Sequence, residues 1–537
     1  VEVTVNSAGG VAIDMNSEDT TLVIDANTGT GTITVTDLTA KHGSTDTAAL
    51  TAKGLADTQI LDVSVTGAPV VKFELGLENA GDAGTATVDL DSGTQPTELT
   101  ITTQGSADND IGLTAAAVTQ LNIKGAADLT ITTTAGAGNL AAVTDINAAS
   151  ATGDIEVTVD ASVTDVDLGE GSDKLTLTEA PAATATYSGG AGNDTLVLAG
   201  FGTNGTIDGF EIVTATAGTV DLDDLSDVDQ LQLDGAITVS NVDVGSIDEK
   251  VIFDESSDIT LASGTATSLA FEAEANDGSV TIQNDVATLT AISVKQYDAG
   301  TVTLNSTNTD KLTITGSKAA VVAGTGAVAL TTVDASAADS LTATANAFTG
   351  LKDYDGSGGI DSIDVNGIAA GANINGGAGA DVLDLGGVTS GTAVVIGGAG
   401  ADTITLGTTT SDITVQINAG DHAVALAAVT DGALTGTDVE TITQFSAGAA
   451  EDLIDLTSLG LSGPIIYDNT GTADADAFNN AYNVIDTDTA DVVFVDADAD
   501  GNVRYVFYDN GAGGVGIIDF GGDITALSTV DGVDFAL

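Results

Sequence analysis

The chain has 537 residues, 79 of them acidic against 11 basic, and a formal charge of −68; such a chain repels phosphate, which excludes nucleic acid and an anionic membrane surface as direct partners. It is not a disordered acidic polymer, because 42% of it is hydrophobic and the mean hydropathy is +0.25, so there is apolar surface to bury. It has no cysteine, hence no disulfide, and no run of about eighteen apolar residues, the length that a membrane-spanning helix needs.

A compact state with this charge repels itself unless cations bind or salt screens it. Bound calcium and a salt-adapted, solvated surface both answer that repulsion, and the two can hold together. The length suggests two to four domains, and composition shifts divide the chain into 1–165, 166–350 and 351–537. A lysine-poor chain rich in Thr, Asp, Gly and Ala, without tryptophan, suits an exported bacterial protein. The opening at Val1 rather than Met suggests a removed signal segment or a trimmed chain.

From Val1 to about Asp165 the sequence is short β runs separated by Gly, Asn or Asp: Val1–Val5, Gly31–Thr36, Leu61–Val65 and Ile155–Val159. Alternation at period two with β-branched residues predicts half-buried strands. Three segments rhyme, Glu98–Thr103, Asp128–Thr133 and Asp310–Thr315, and so do Val143–Ser150 and Leu330–Ser336. Degenerate strand repeats of about 20–30 residues point to a solenoid or sandwich of short rungs. Thr114–Val118 and Ala141–Val143 suit short helical turns, and no window carries a long helix.

Around Gly169–Gly200 a different phrase enters. Gly189, Gly190, Gly192, Asp194 and Leu196 fit Gly-Gly-x-Gly-x-Asp-x-apolar, and two further copies follow: Gly376, Gly377, Gly379, Asp381, Leu383 and Gly397, Gly398, Gly400, Asp402, Ile404. This is the nonapeptide of the parallel β-roll, whose six-residue loop binds Ca²⁺ and whose last residues form a strand. The residue types suit that chemistry, since glycine lets the backbone turn its carbonyls inward and aspartate supplies the hard oxygen that calcium prefers. Looser copies carry Asp173 and Asp361. The Asp173–Asp194 and Asp381–Asp402 intervals are both 21 residues (194 − 173; 402 − 381), and Asp361–Asp381 is 20 (381 − 361). One rung plus a short insertion has that length, so the loops are expected to stack on one edge, the opposite edge (Thr178–Thr186, Gly386–Thr392) having lost the motif.

Residues 201–350 return to strand text, with an acidic patch at Asp221–Asp229 that reads either as a cation site or as a solvated face. Near the end, Asp496, Asp498 and Asp500 open like an EF-hand loop. Its twelfth position is Phe507 rather than Glu, which leaves a simpler calcium or turn site.

These motifs resemble the RTX (haemolysin-type calcium-binding) family. Glu440–Gly448 through Asp452–Thr457 is similar to the segment that follows RTX arrays, with Gln444 where that segment has Asp. Val506–Gly514, Ile524–Leu527 and Asp534–Leu537 are similar to RTX C-terminal secretion regions, which implies a type I exporter, although a cleaved N-terminal signal would imply another route. The Thr-rich strands punctuated by Asp-Ala-Ser resemble bacterial surface-layer proteins with RTX modules. The implied fold is all-β and multi-domain, with β-sandwich or β-solenoid rungs and RTX parallel β-roll calcium modules. The implied cofactor is several Ca²⁺ ions.

Catalysis is not expected. A metalloprotease needs His-Glu-x-x-His to hold zinc, and the two histidines are His42 in Lys-His-Gly and His422 in Asp-His-Ala. No Gly-x-Ser-x-Gly occurs for a lipase, 4% aromatic content leaves little for a sugar platform, and no amphipathic helix suggests a pore. The expected function is a calcium-dependent structural protein that assembles with copies of itself into a surface layer outside the cell, with a cell-surface glycan or lipopolysaccharide as a further partner. The alternative is a secreted calcium-dependent adhesin that binds glycan or ice.

Overall fold

The computed structural model is all-β, 61% strand and 3% helix. It describes 107–199 and 350–407 without interruption, 205–225, 228–243, 250–253, 257–273, 279–297, 300–316, 320–323 and 330–348 between them, and, outside these, mainly the strands and adjoining turns. The chain divides into two compact units, Val1–Ile252 and Phe253–Leu537. Each is a parallel β-solenoid. Strands alternate between two sheets, so that most pair in parallel with the strand two places further along the chain, and some with one three or four places on where short extra strands intervene.

In the first unit, one sheet runs from Glu2–Thr4 through Thr47–Lys53 and Glu98–Gln104 to Thr206–Asp208. The other runs from Val11–Asp14 through Leu129–Ala135 and Ile155–Val159 to Gln230–Leu233. Period-two alternation decides which side chains enter. In Glu98–Gln104, Leu99, Ile101 and Thr103 are buried while the residues between them face out. Because register is kept from rung to rung, like stacks on like: Leu50, Leu75, Ile101 and Ile123 are successive neighbours in one sheet. Val157, Leu175, Leu196, Val213 and Leu231 are successive neighbours in the other. Each such side chain, taken fully out of water, contributes about 1.5–3 kcal/mol. A one-residue slip would turn the whole row to solvent.

The second unit repeats this plan, with a continuous internal row Ile292, Leu312, Val333, Tyr354, Ile374, Val395, Val415 and Ile454. Its far end departs from the pattern. Glu440–Thr443 pairs in parallel with Val515–Ile524, which pairs antiparallel with Val503–Asp509, itself antiparallel to Val492–Val495. Phe507, Val493, Val495, Val515 and Ile517 form an apolar cluster there with Ala481 and Ile485. Val515–Ile524, Val503–Asp509 and Val492–Val495 thus continue one sheet of the solenoid in antiparallel pairing, and Ile465–Asp468 pairs in parallel beyond them.

Of the short helical turns expected at Thr114–Val118 and Ala141–Val143, the chain forms turns at 116–117 and 141–142, the second preceded by a 3-10 turn at Gly138–Leu140. No helix among the described residues is long and apolar enough to cross a membrane.

Candidate metal centre

Each glycine-rich loop carries the chain from one sheet to the other. Residues 189–194 join Thr186–Ser188 to Thr195–Leu198, 376–381 join Ile368–Asn375 to Val382–Asp384, and 397–402 join Gly391–Ile396 to Thr403–Thr405. Within each unit the loops stack on one another, as their spacing predicts. Ala399 N–H donates to Gly377 O (3.0 Å), and Ala191 N–H donates to Gly169 O (2.9 Å). The contact is too close for a side chain: Gly400 has φ +138°, and a Cβ there would lie 1.6 Å from Gly379 O.

The aspartates form two rows of buried carboxylates with one rule of connection. In the second unit, Asp361 Oδ1 accepts from Leu341 N–H (2.6 Å), Asp381 Oδ1 from Asp361 N–H (2.7 Å), and Asp402 Oδ1 from Asp381 N–H (2.8 Å). Glu440 comes next in the row: Thr441 N–H donates to Asp402 O at 2.8 Å, and the Glu440 carboxylate lies beside that of Asp402. In the first unit, Asp173 Oδ1 accepts from Ile155 N–H, Asp194 Oδ1 from Asp173 N–H and Glu211 Oε2 from Asp194 N–H, each at 2.7 Å. Both rows therefore begin on the amide of an apolar residue, continue through aspartates and finish on a glutamate.

Sequence reasoning found Asp173, Asp194, Asp361, Asp381 and Asp402 but missed Glu211 and Glu440. Neither glutamate sits in a glycine-rich phrase. The available signal was strand register, since Glu211 precedes and Glu440 opens a strand that pairs with the strand after the last aspartate. On the other sheet of the second unit Asp452 plays the same part, its Oδ1 accepting from Ile413 N–H at 3.2 Å.

The second carboxylate oxygens divide the aspartates into two kinds. Asp173 Oδ2 accepts from Gly169 N–H (3.2 Å), and Asp361 Oδ2 accepts from Ser357 N–H (2.6 Å) and the Tyr354 hydroxyl (3.3 Å). By contrast, Asp194 Oδ2 and Asp381 Oδ2 are buried with no hydrogen-bond partner. The full-match loops of Asp194 and Asp381 leave an oxygen without a donor, whereas the looser loops, such as the one in which Ser357 replaces glycine, supply one. Burial is the largest cause raising both carboxyls, Asp194 to about 6 and Asp381 to about 7, and the neighbouring carboxylates raise them further.

An oxygen-loving cation fits these loops. The donors are all oxygen, and glycine keeps the space beside them open: a Cβ on Gly376 would meet Asp381 Oδ2 at 2.6 Å, and one on Gly397 would meet Asp402 Oδ2 at 2.4 Å. Among the described residues no three His, Cys, Asp or Glu side chains form a metal cluster by themselves, so backbone carbonyls would have to complete a coordination shell.

Elsewhere, Asp221 caps the turn at Leu222–Asp224, accepting from Asp223 N–H (3.1 Å) and Asn241 Nδ2 (2.7 Å). Asp496 is buried after Val492–Val495, while Asp498, Asp500, His42 and His422 lie outside the described residues. Beside Asp173 an open groove of about 440 Å³ is lined by Asp108, Asp128, Asp154 and Glu156, the last ion-paired to Lys174 at 2.7 Å. The chain matches no family model, and no curated protein matches it.

Proposed function

We propose that this chain is a calcium-dependent structural protein that assembles with copies of itself into a two-dimensional layer on the outside of a bacterial cell. The supporting observation is the pair of buried carboxylate oxygens, Asp194 Oδ2 and Asp381 Oδ2, that the fold leaves without a donor. A buried ionised oxygen in that condition is costly, and Ca²⁺ with oxygen ligands removes the cost. Asp194, Asp381 and Asp402 would hold the ions, with turn carbonyls completing the shell, and the ion supplies charge compensation rather than chemistry.

Without calcium the stacked carboxylates repel one another and the rows fray. An ion that binds only the folded state adds its binding free energy to stability. A calcium-poor interior therefore keeps the chain loose for export, and a calcium-rich exterior sets it. At a net charge of −68, copies meeting side by side need bridging cations as well, so chelation sheds the layer before it unfolds the subunit. The test is a calcium titration of the purified chain followed by light scattering, circular dichroism and electron microscopy. Ordered sheets above a calcium threshold support the reading; dispersed monomers at millimolar calcium sink it.

A second reading, a calcium-dependent adhesin, has one observation in its favour. Asp258, Thr281 and Thr303 are successive neighbours across three strands, and with Ser257, Ser279 and Thr301 they line a shallow groove of about 250 Å³. Such a hydroxyl-rich face suits glycan or ice, and retention on a glycan array by dispersed monomers would favour it over the layer.

A further inference from the structure

The row in the second unit ends on a group that the glycine-rich motif does not contain. Glu440 is fully buried, and its carboxylate shares a space with that of Asp402: a Cβ on Gly397 would stand 2.4 Å from Asp402 Oδ2 and 2.7 Å from Glu440 Oε1. Burial raises the Glu440 carboxyl most, and the negative charges of Asp402, Asp421 and Asp381 raise it further. Asp421 belongs to the adjoining loop, where its carbonyl accepts from Gly400 N–H at 3.2 Å.

A second, independent observation comes from the antiparallel end of the sheet. Tyr508 is 0% exposed and its hydroxyl has no hydrogen-bond partner, although buried tyrosine hydroxyls ordinarily find one. The ring lies over Gly516, where a Cβ would fall 2.1 Å from Cζ, and strand register brings it to the site: Tyr508 pairs with Gly516, two residues from Ile518, which pairs with both Val506 and Glu440. A buried phenol oxygen without a hydrogen-bond partner and two neighbouring buried carboxylates make an oxygen-only donor set suited to a hard cation.

We infer that Glu440, Asp402 and the Tyr508 hydroxyl form a separate end site for a hard divalent cation, which ties the antiparallel C-terminal strands to the last rung of the carboxylate row. The inference rests on the calcium reading above and adds to it a ligand from outside the repeat, so that closing the sheet and filling the row become one event. The competing state of the same atoms is a protonated, neutral Glu440 that needs no metal.

Terbium, a hard-cation probe that emits when excited through a nearby phenol, separates the two states. The chain has seven tyrosines and no tryptophan, so sensitised emission reports tyrosines beside bound ions. In the full chain, Tyr508→Phe and Glu440→Gln should each remove the same component of that emission and lower the calcium bound at equilibrium dialysis by about one ion per chain. Asp194→Asn, in the other unit, should leave that component intact. A wild-type chain that binds calcium, with both end-site variants retaining full emission and full stoichiometry, overturns the end site alone. A wild-type chain that binds no calcium overturns the ladder reading and the end site together. Should Glu440→Gln fail to fold by circular dichroism, Tyr508→Phe, which removes a single oxygen, decides by itself.

Discussion

The two carboxylate rows share a grammar and differ in how they stop. Both step from amide to carboxylate in register with the apolar rungs, and both finish on glutamate. In the first unit another plain rung follows: Asp229 N–H donates to Glu211 O at 2.9 Å, and Glu211 keeps part of its surface in water. In the second unit the strand bearing Glu440 meets an antiparallel sheet, and Glu440 is fully buried. Burial of a row's end is thus set by what packs on it and not by the motif that made it. On the calcium reading proposed above, the deeper row is the one expected to depend more on a cation.

Four perturbations probe that contrast. The largest effect should be common to both rows, because it concerns loop stacking. Gly192→Ala and Gly400→Ala each place a Cβ within 1.5–1.6 Å of a carbonyl oxygen and should cost about 3 kcal/mol or more, measured by urea unfolding. A tolerated alanine in either would show that its turn does not stack as described. Chelation comes next and should separate the units. An ion at a hundredfold its Kd adds about 2.7 kcal/mol, and in folds of this size each kcal/mol moves Tm by about 2–4 °C. Calorimetry with and without a chelator should therefore show two transitions falling by roughly 5–10 °C, the larger fall belonging to the second unit. Equal shifts would erase the distinction between shallow and deep rows.

Within one row, Asp381→Asn should raise the calcium midpoint of folding several-fold, whereas Asp361→Asn, whose partners Ser357 and Tyr354 already satisfy it, should lower stability by about 1 kcal/mol with the midpoint unmoved. Identical midpoints for the two variants would deny that the unpartnered oxygen marks the ion. The smallest effect is that of pH on the chelated protein. Folded-state carboxyls raised to about 6 (Asp194) and about 7 (Asp381) bind protons that the unfolded chain has released above about pH 4. Stability should then fall as pH rises through that window. The decline should end earlier for the first unit than for the second, and calcium should flatten it. Urea midpoints at pH 5 and pH 8 in chelator give the sign, and a higher midpoint at pH 8 would contradict it.

Much of this was legible in the residues. Alternation in segments such as Glu98–Gln104 marks strands that face inward and outward by turns, and the 20–21-residue interval between aspartates gives the rung. The loops at 189–194, 376–381 and 397–402 were found because glycine at a stacked turn has no substitute. Glu211 and Glu440 were hidden because a ladder position is defined by the neighbouring rung and not by flanking glycines. Of the hydroxyls that answer Asp361, Ser357 stands where the phrase has glycine and Tyr354 lies outside the phrase. Tyr508 follows Glu440 by 68 residues (508 − 440), and only an antiparallel return brings it back. Local pattern carries the repeat; chain reversal carries its end.

The amide-to-carboxylate linkage also has a direction. Every donor precedes its acceptor along the chain, so a rung is finished only when its successor arrives, and Glu440 serves as the full stop. A module cut between equivalent points of Asp381 and Asp402 brings one acceptor and one new donor with it. Such a block can be duplicated or deleted ahead of the terminal glutamate without disturbing either neighbour, which makes length the easiest property of this molecule to change.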